Sequence, residues 1–195
     1  MTSSVAASAA EMPVSGVAED ELVARVRARD VDAIARIYDA HHTALRALAR
    51  RLVGDEAIAE DLVHETFIAL PGAIRGFRGD ASLRSFVMGI AVNRAKKYIR
   101  AATRRRAAHD RHAAQPPPAD APGPDVALAR RQLAEALHRA LDALPHDQRV
   151  AFVLCEIDEL TSVAAAAIVG CPEETIRTRL YHARRKLRAH LEELR

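Results

Sequence analysis

The 195-residue chain carries 29 Lys and Arg against 26 Asp and Glu, a formal net charge of +3, with 49% hydrophobic and 28% charged residues. That balance is ordinary for a globular protein, and the length accommodates one large or two small domains. No apolar run approaches the roughly 20 residues that cross a bilayer, and the N-terminus lacks the basic start and hydrophobic stretch of a signal peptide, so the chain is expected to stay in the cytoplasm with no direct membrane insertion.

Residues 1–18 are rich in Ala, Ser and Val without a sustained period and are expected to form a disordered tail. An N-terminal domain is expected over 19–106. It opens with a short helix near Glu19 to Arg29. Asp30 then reads as the N-cap of a longer helix that buries Ile34, Ile37, Tyr38, Leu45, Leu48 and Leu52 and ends at Gly54. A third helix starts at Asp55, packs through Leu62, Val63, Phe67 and Leu70, and is expected to stop at Pro71-Gly72. Its polar side gathers Asp55, Glu56, Glu60, Asp61 and Glu65, more carboxylates than the helix N-terminus needs. They form either a solvated face or a docking surface for a basic partner, and charge alone does not separate the two.

A loop from Pro71 to Ala81 contains Phe77 and Arg78 between Gly76 and Gly79. The ring could stack on an unpaired base or pack into the core. Ser82 caps a fourth helix whose early turns bury Leu83, Phe86, Val87 and Ile90. Later, Asn93, Lys96, Lys97, Arg100 and Arg104 recur at helical spacing and line one face, a row that can track a phosphate backbone. From Arg94 to Arg111 there are eight basic residues and a single acidic one, Asp110, so binding through this stretch should weaken steeply with salt.

Residues 107–125 include Pro116, Pro117, Pro118, Pro122 and Pro124, which forbid a continuous helix and predict a spacer. A C-terminal domain is expected over 126–195. Leu133, Leu137, Leu141 and Leu144 make the buried edge of its first helix, Pro145 breaks it, and Val150, Val153, Leu154 and Ile157 give the next an apolar stripe. Thr161 or Ser162 then caps a supporting helix, Gly170-Cys171-Pro172 makes a turn, and a last helix follows, the pattern of a helix-turn-helix. At about 100° per residue, Ile176, Leu180, Ala183 and Leu187 share one side of that helix while Arg177, Tyr181, Arg184 and Arg188 share another. From Arg177 to Arg188 six residues are basic and none is acidic. The lone pair of cysteines, Cys155 and Cys171, fits a reducing compartment and small buried side chains. The fold class is therefore all-α, two small helical domains joined by a Pro-rich linker, the second containing a helix-turn-helix.

Four blocks in order, EDLVHETFIAL, FRGDASLRSFVMGIAVNRAKKYIR, the Pro-rich spacer and LPHDQRVAFVLCEIDELTSVAAAAIVGCPEETIRTRLYHARRKL, strongly resemble an extracytoplasmic-function sigma factor of bacterial RNA polymerase. The resemblance implies an alternative sigma factor that recruits core polymerase, recognises the minus-thirty-five and minus-ten promoter elements and promotes melting. It assigns the third helix, with Asp61, His64, Glu65 and Phe67, to the beta-prime clamp helices. Phe77, Arg78 and Asn93 are implied around a flipped base of the melted minus-ten strand, with Lys96, Lys97 and Arg100 on the adjoining backbone. Arg177, Thr178, Arg179, Tyr181, Arg184, Arg185 and Arg188 are implied for double-stranded minus-thirty-five DNA, and an anti-sigma factor as regulator. Where the family usually carries Gln, an aromatic and Trp, this chain has His64, Pro71 and Phe86. Val163 and Ala164 replace a commonly acidic pair, and Glu174 a usual Gly.

An autonomous two-domain repressor or activator that reads DNA without polymerase is the competing binding reading, but it usually calls for a dimer on two half-sites and no dimerisation heptad is present. An enzyme is not expected: His41-His42 diverge around a helix, and His109 and His112 lack acidic or thiolate companions at ligand spacing. No metal and no cofactor are expected.

Overall fold

The computed structural model describes residues 16–109 and 140–192, and every regular element among them is helical. The N-terminal half holds α1 (Gly16–Arg27), α2 (Val31–Val53), α3 (Glu56–Ala73) and α4 (Leu83–His109). The C-terminal half holds α5 (His146–Phe152), α6 (Ser162–Val169) and α7 (Glu173–Glu192), with residues 140–142 helical ahead of α5. α1 begins inside the stretch expected as a tail, and α4 runs to His109, just into the expected spacer. The spacer prolines, Leu133 and Leu137 lie outside the described residues.

Short polar side chains set the helix starts. The Asp30 carboxylate accepts from the amides of Asp32 and Ala33 at 2.9 and 3.3 Å, and Asp55 accepts from Ile58 at 2.9 Å. Ser82 Oγ accepts from the Ser85 amide at 3.2 Å and Thr161 Oγ1 from the Ala164 amide at 3.2 Å, satisfying donors that a first helical turn leaves open. α2 ends at Gly54. α6 ends at Gly170, whose φ of 70° is left-handed, and the Gly170 amide closes the turn on Ala166 O at 2.8 Å.

Two elements depart from the sequence reading. α3 does not stop at Pro71-Gly72 but continues to Ala73 and tightens into a 3₁₀ turn over Ile74–Gly76. Near a helix C-terminus Pro71 removes one backbone hydrogen bond, while Leu70 and Ile74 on either side are completely buried and hold the turn in place. After α5 the chain widens into a π-helical turn over Val153–Ile157. The Asp158 amide reaches back to Val153 O at 2.9 Å, and Glu159 exits with a φ of 54°. A one-residue expansion leaves no trace in apolar spacing: Val150, Val153 and Leu154 are buried as expected and Ile157 is half-buried.

One continuous core crosses both halves. Ile37, Leu45, Leu48, Leu52, Leu70 and Val87 pack in the same cluster as Val150, Leu154, Ile168 and Ile176. A satellite cluster joins Ala140, Leu141 and Leu144 to Ala183 and Leu187. Between the halves, Arg149 is only 5% exposed; its Nε donates to Arg51 O at 2.7 Å and its Nη1 pairs with Asp142 at 2.5 Å. Arg51 itself pairs with Asp158. Burial pushes the Asp158 carboxyl above its usual range, against the opposing pull of Arg51. α4 meets α6 so closely that a Cβ at Gly89 would stand 2.6 Å from Ile168 O.

Ile176→Ala, at a fully buried position of α7, is expected to lower unfolding free energy by about 3 kcal/mol. Arg185→Ala, on the exposed side, should stay within about 0.5 kcal/mol, both read by urea denaturation. His146 supplies a pH dependence. Its half-buried imidazole has no hydrogen-bond partner on either nitrogen and is pushed down to about 4 from 6.5 by burial first, with Lys96, Arg149 and Arg100 adding and Asp147 opposing. The unfolded chain binds a proton there that the folded chain refuses, so this contribution is complete above about pH 6.5 and is lost as pH falls towards 4. Urea midpoints should decline less steeply over that window for His146→Leu than for the unaltered chain.

Candidate nucleic-acid interface

α7 separates its sides as an amphipathic helix must. Ile176, Leu180, Ala183 and Leu187 are buried, while Arg177, Thr178, Tyr181, Arg184, Arg185 and Arg188 are exposed, Tyr181 by 60%. Pro172 stands immediately before the helix, and its carbonyl accepts from the Thr175 amide at 3.0 Å. Glu173 and Glu174 occupy the first turn, complementing the helix dipole. Glu173 also holds the Arg177 guanidinium at 2.6 Å, and Glu156 of the π turn pairs with Arg184. Both arginines are well exposed, so these pairs are weak and readily exchanged for a phosphate or a base edge. Arg179 differs. It is half-buried and its Nη2 reaches Asp147 of α5 at 3.1 Å.

The basic row of α4 is similarly sorted. Asn93, Lys97, Arg100 and Arg104 are exposed along one side, and Lys97, Ile99, Arg100, Thr103 and Arg104 line a shallow depression on it. Lys96, on the flank facing α5, pairs with Asp147 at 2.9 Å. Asp147 thus carries two cations from two helices. Burial raises the affinity of its carboxyl for a proton, but Lys96 and Arg179 outweigh that and hold it below the usual carboxylate range.

In the loop before α4, the ring that could stack on a base or pack into the core does the latter. Phe77 is 8% exposed, set edge-on to Phe86 with ring centroids 5.1 Å apart, and its carbonyl takes a 2.7 Å hydrogen bond from Arg27. An aromatic ring gains more from this apolar contact than from solvent, so Phe77 packs as a core residue here. Arg78 is exposed beside Gly79. On α3, Asp61, His64 and Glu65 are exposed, whereas Phe67, expected among the polymerase contacts, is buried against Tyr38 at 4.8 Å. Its place on the outer face is taken by Ile68, 79% exposed. The spacing of Ile68, three residues after Glu65 and four after His64, is the sequence signal that would have found it.

Among the described residues no group of three or more His, Cys, Asp or Glu is placed to hold a metal ion, and no helix is long and apolar enough to cross a membrane. Asp147 and Glu156 carried no sequence signal as partners of these arginines, because folding alone brings them together.

Comparison with known proteins places these surfaces in a family. Residues 37–105 match Sigma-70 region 2 and residues 134–187 match Sigma-70, region 4. The chain is 32% identical over 170 residues to the ECF RNA polymerase sigma-E factor of Salmonella typhimurium, covering 84% of this chain and 88% of that protein. It is 30% identical over 187 residues to the RNA polymerase sigma-H factor of Pseudomonas aeruginosa, covering 90% and 95%. The sigma factor RpoE of Bartonella quintana, solved with the anti-sigma factor NepR, has a similar structure at a TM-score of 0.56 and 28% identity, over 77% of this chain and 91% of that one. The chain belongs to the extracytoplasmic-function sigma factors, alternative sigma factors that act in transcription initiation.

Proposed function

We propose that α7 enters the major groove of the minus-thirty-five element and that the basic row of α4 grips the separated minus-ten strand, on a chain held to core polymerase through α3. The observation that carries this reading is the division of α7 into a buried apolar side and an exposed side bearing Arg177, Tyr181, Arg184 and Arg188. Arginine on an exposed recognition helix can meet guanine edges bidentately, and Thr178 can take either a base or a phosphate. Lys97 and Arg100 are free to track the backbone of the opened strand, with Asn93 reaching an extruded base. Asp61, His64 and Glu65, with the exposed Ile68 among them, form an acidic patch with an apolar centre suited to the clamp helices.

The chain acts by binding and holds no catalytic role. Two modest grips on one promoter, tethered through polymerase, become effectively intramolecular. Melting costs about 1.4 kcal/mol per base-pair step and is offset by capture of unstacked bases. It works in the cytoplasm, needs no cofactor, and takes an anti-sigma factor as regulator; the Bartonella quintana relative was solved in complex with one.

Reconstitution tests this: purified chain with core polymerase and a promoter library should yield transcripts from a defined motif pair. Specific operator binding without polymerase, and no stimulated initiation, would overturn it. Arg184→Ala is expected to weaken the upstream footprint by about 1 to 3 kcal/mol and relax preference at one base. Lys97→Ala should weaken open-complex formation on all promoters alike and make its salt dependence shallower by about 1 in log–log slope.

A further inference from the structure

Between Glu174 and Arg188 of α7 the single acidic residue is Glu174 itself. Taking Arg177 as the origin and stepping by helical rotation, Glu174 falls at about 60°, between Tyr181 at about 40° and Arg185 at about 80°. It is exposed, as are Arg177, Thr178, Tyr181 and Arg185 around it. The two carboxylates of the first turn have separate fates. Glu173 finds Arg177 one turn on, at 2.6 Å. Glu174 has Thr178 at the same spacing, and the Thr178 hydroxyl donates instead to the Glu174 backbone carbonyl at 2.9 Å. Among the described residues the Glu174 carboxylate therefore meets no donor, in the middle of the face that α7 turns outward.

A bare carboxylate facing a duplex is disfavoured, because phosphates flank the groove on both sides. It is tolerated where a base edge donates to it. The major groove offers such donors at the N4 amino group of cytosine and the N6 amino group of adenine. Beside the adenine amino group stands N7, an acceptor that repels a carboxylate, whereas cytosine has no acceptor on that side. Guanine presents N7 and O6 and thymine presents O4, all acceptors.

We propose that Glu174 is a specificity-determining residue of this chain, accepting a hydrogen bond from cytosine N4 in the minus-thirty-five element and rejecting guanine and thymine at that position. The inference rests on the reading of α7 as the helix in the major groove. Residues at the start of a recognition helix are the ones that meet base edges, and Glu174 stands there. Thr178 supports the arrangement: with its hydrogen committed to the helix backbone, it does not compete with cytosine for the carboxylate. Arg177 and Arg185 on either side supply the positive charge that holds a negative group close to DNA.

The full-length chain, Glu174→Gln, Glu174→Ala and Arg184→Ala are each reconstituted with core polymerase on a promoter library randomised across the minus-thirty-five element, each promoter barcoded in its transcript. The unaltered chain is expected to enrich cytosine about tenfold at one position. Glu174→Gln keeps the shape but presents an amide, which matches adenine N6 and N7, so adenine should replace that cytosine. Glu174→Ala should leave the position without preference while the rest of the motif stands. A part in the helix dipole alone predicts lower urea midpoints for both Glu174 variants with the selected bases unchanged, and that result overturns the inference. Arg184→Ala separates the two readings. If it shifts the selected motif and the Glu174 variants do not, α7 stays in the groove and the role of Glu174 falls; if none of the three shifts it, both fall together.

Discussion

The architecture turns on α4, a single helix that carries two incompatible demands. Its first turns are a structural beam, with Leu83, Val87, Met88, Ala91, Val92 and Ala95 buried on one side. Its later turns are a cationic rail bearing Lys97, Arg100 and Arg104 in solvent. A helix can satisfy both because 3.6 residues per turn lets the buried stripe stop while the backbone continues, rigid and hydrogen-bonded, beyond the domain that anchors it. The charge is thereby held at a fixed distance from the core. A loop carrying the same residues would lose orientation and with it much of the advantage of a preorganised surface.

α7 solves the complementary problem with length to spare. Its buried residues fall every three or four positions and leave more than half the circumference for recognition. α6, rich in alanine, lets α7 and α4 approach closely on its two sides, and the Gly170 turn sets the angle at which α7 leaves. The recognition helix is fixed by small side chains and one left-handed residue. That leaves Arg177, Arg184, Arg185 and Arg188 clear of the packed side.

Charge organises the rest. Three acidic residues beside the two basic faces hold cations: Glu173 with Arg177, Glu156 with Arg184, Asp147 with Lys96 and Arg179. Exposed pairs of this kind contribute little to stability. Their effect is on conformation, since they hold long flexible side chains near one rotamer. The acidic patch of α3 lies on a different helix, so one chain presents exposed surfaces of opposite sign.

Much of this was readable from residue order. Caps at Asp30, Asp55, Ser82 and Thr161, the stops at Gly54 and Gly170, and the buried stripe of α7 are local: each depends on neighbours within one or two helical turns, where periodicity and capping chemistry act directly. The tertiary structure alone decided that Phe77 turns inward, that Pro71 is carried inside a helix, that the chain widens to a π turn at Val153–Ile157, and that Asp147 meets two cations at once. In each of these the outcome depends on which distant surface offers the better burial or the nearer charge. That competition is settled only when residues far apart in the chain are brought within van der Waals and hydrogen-bonding reach.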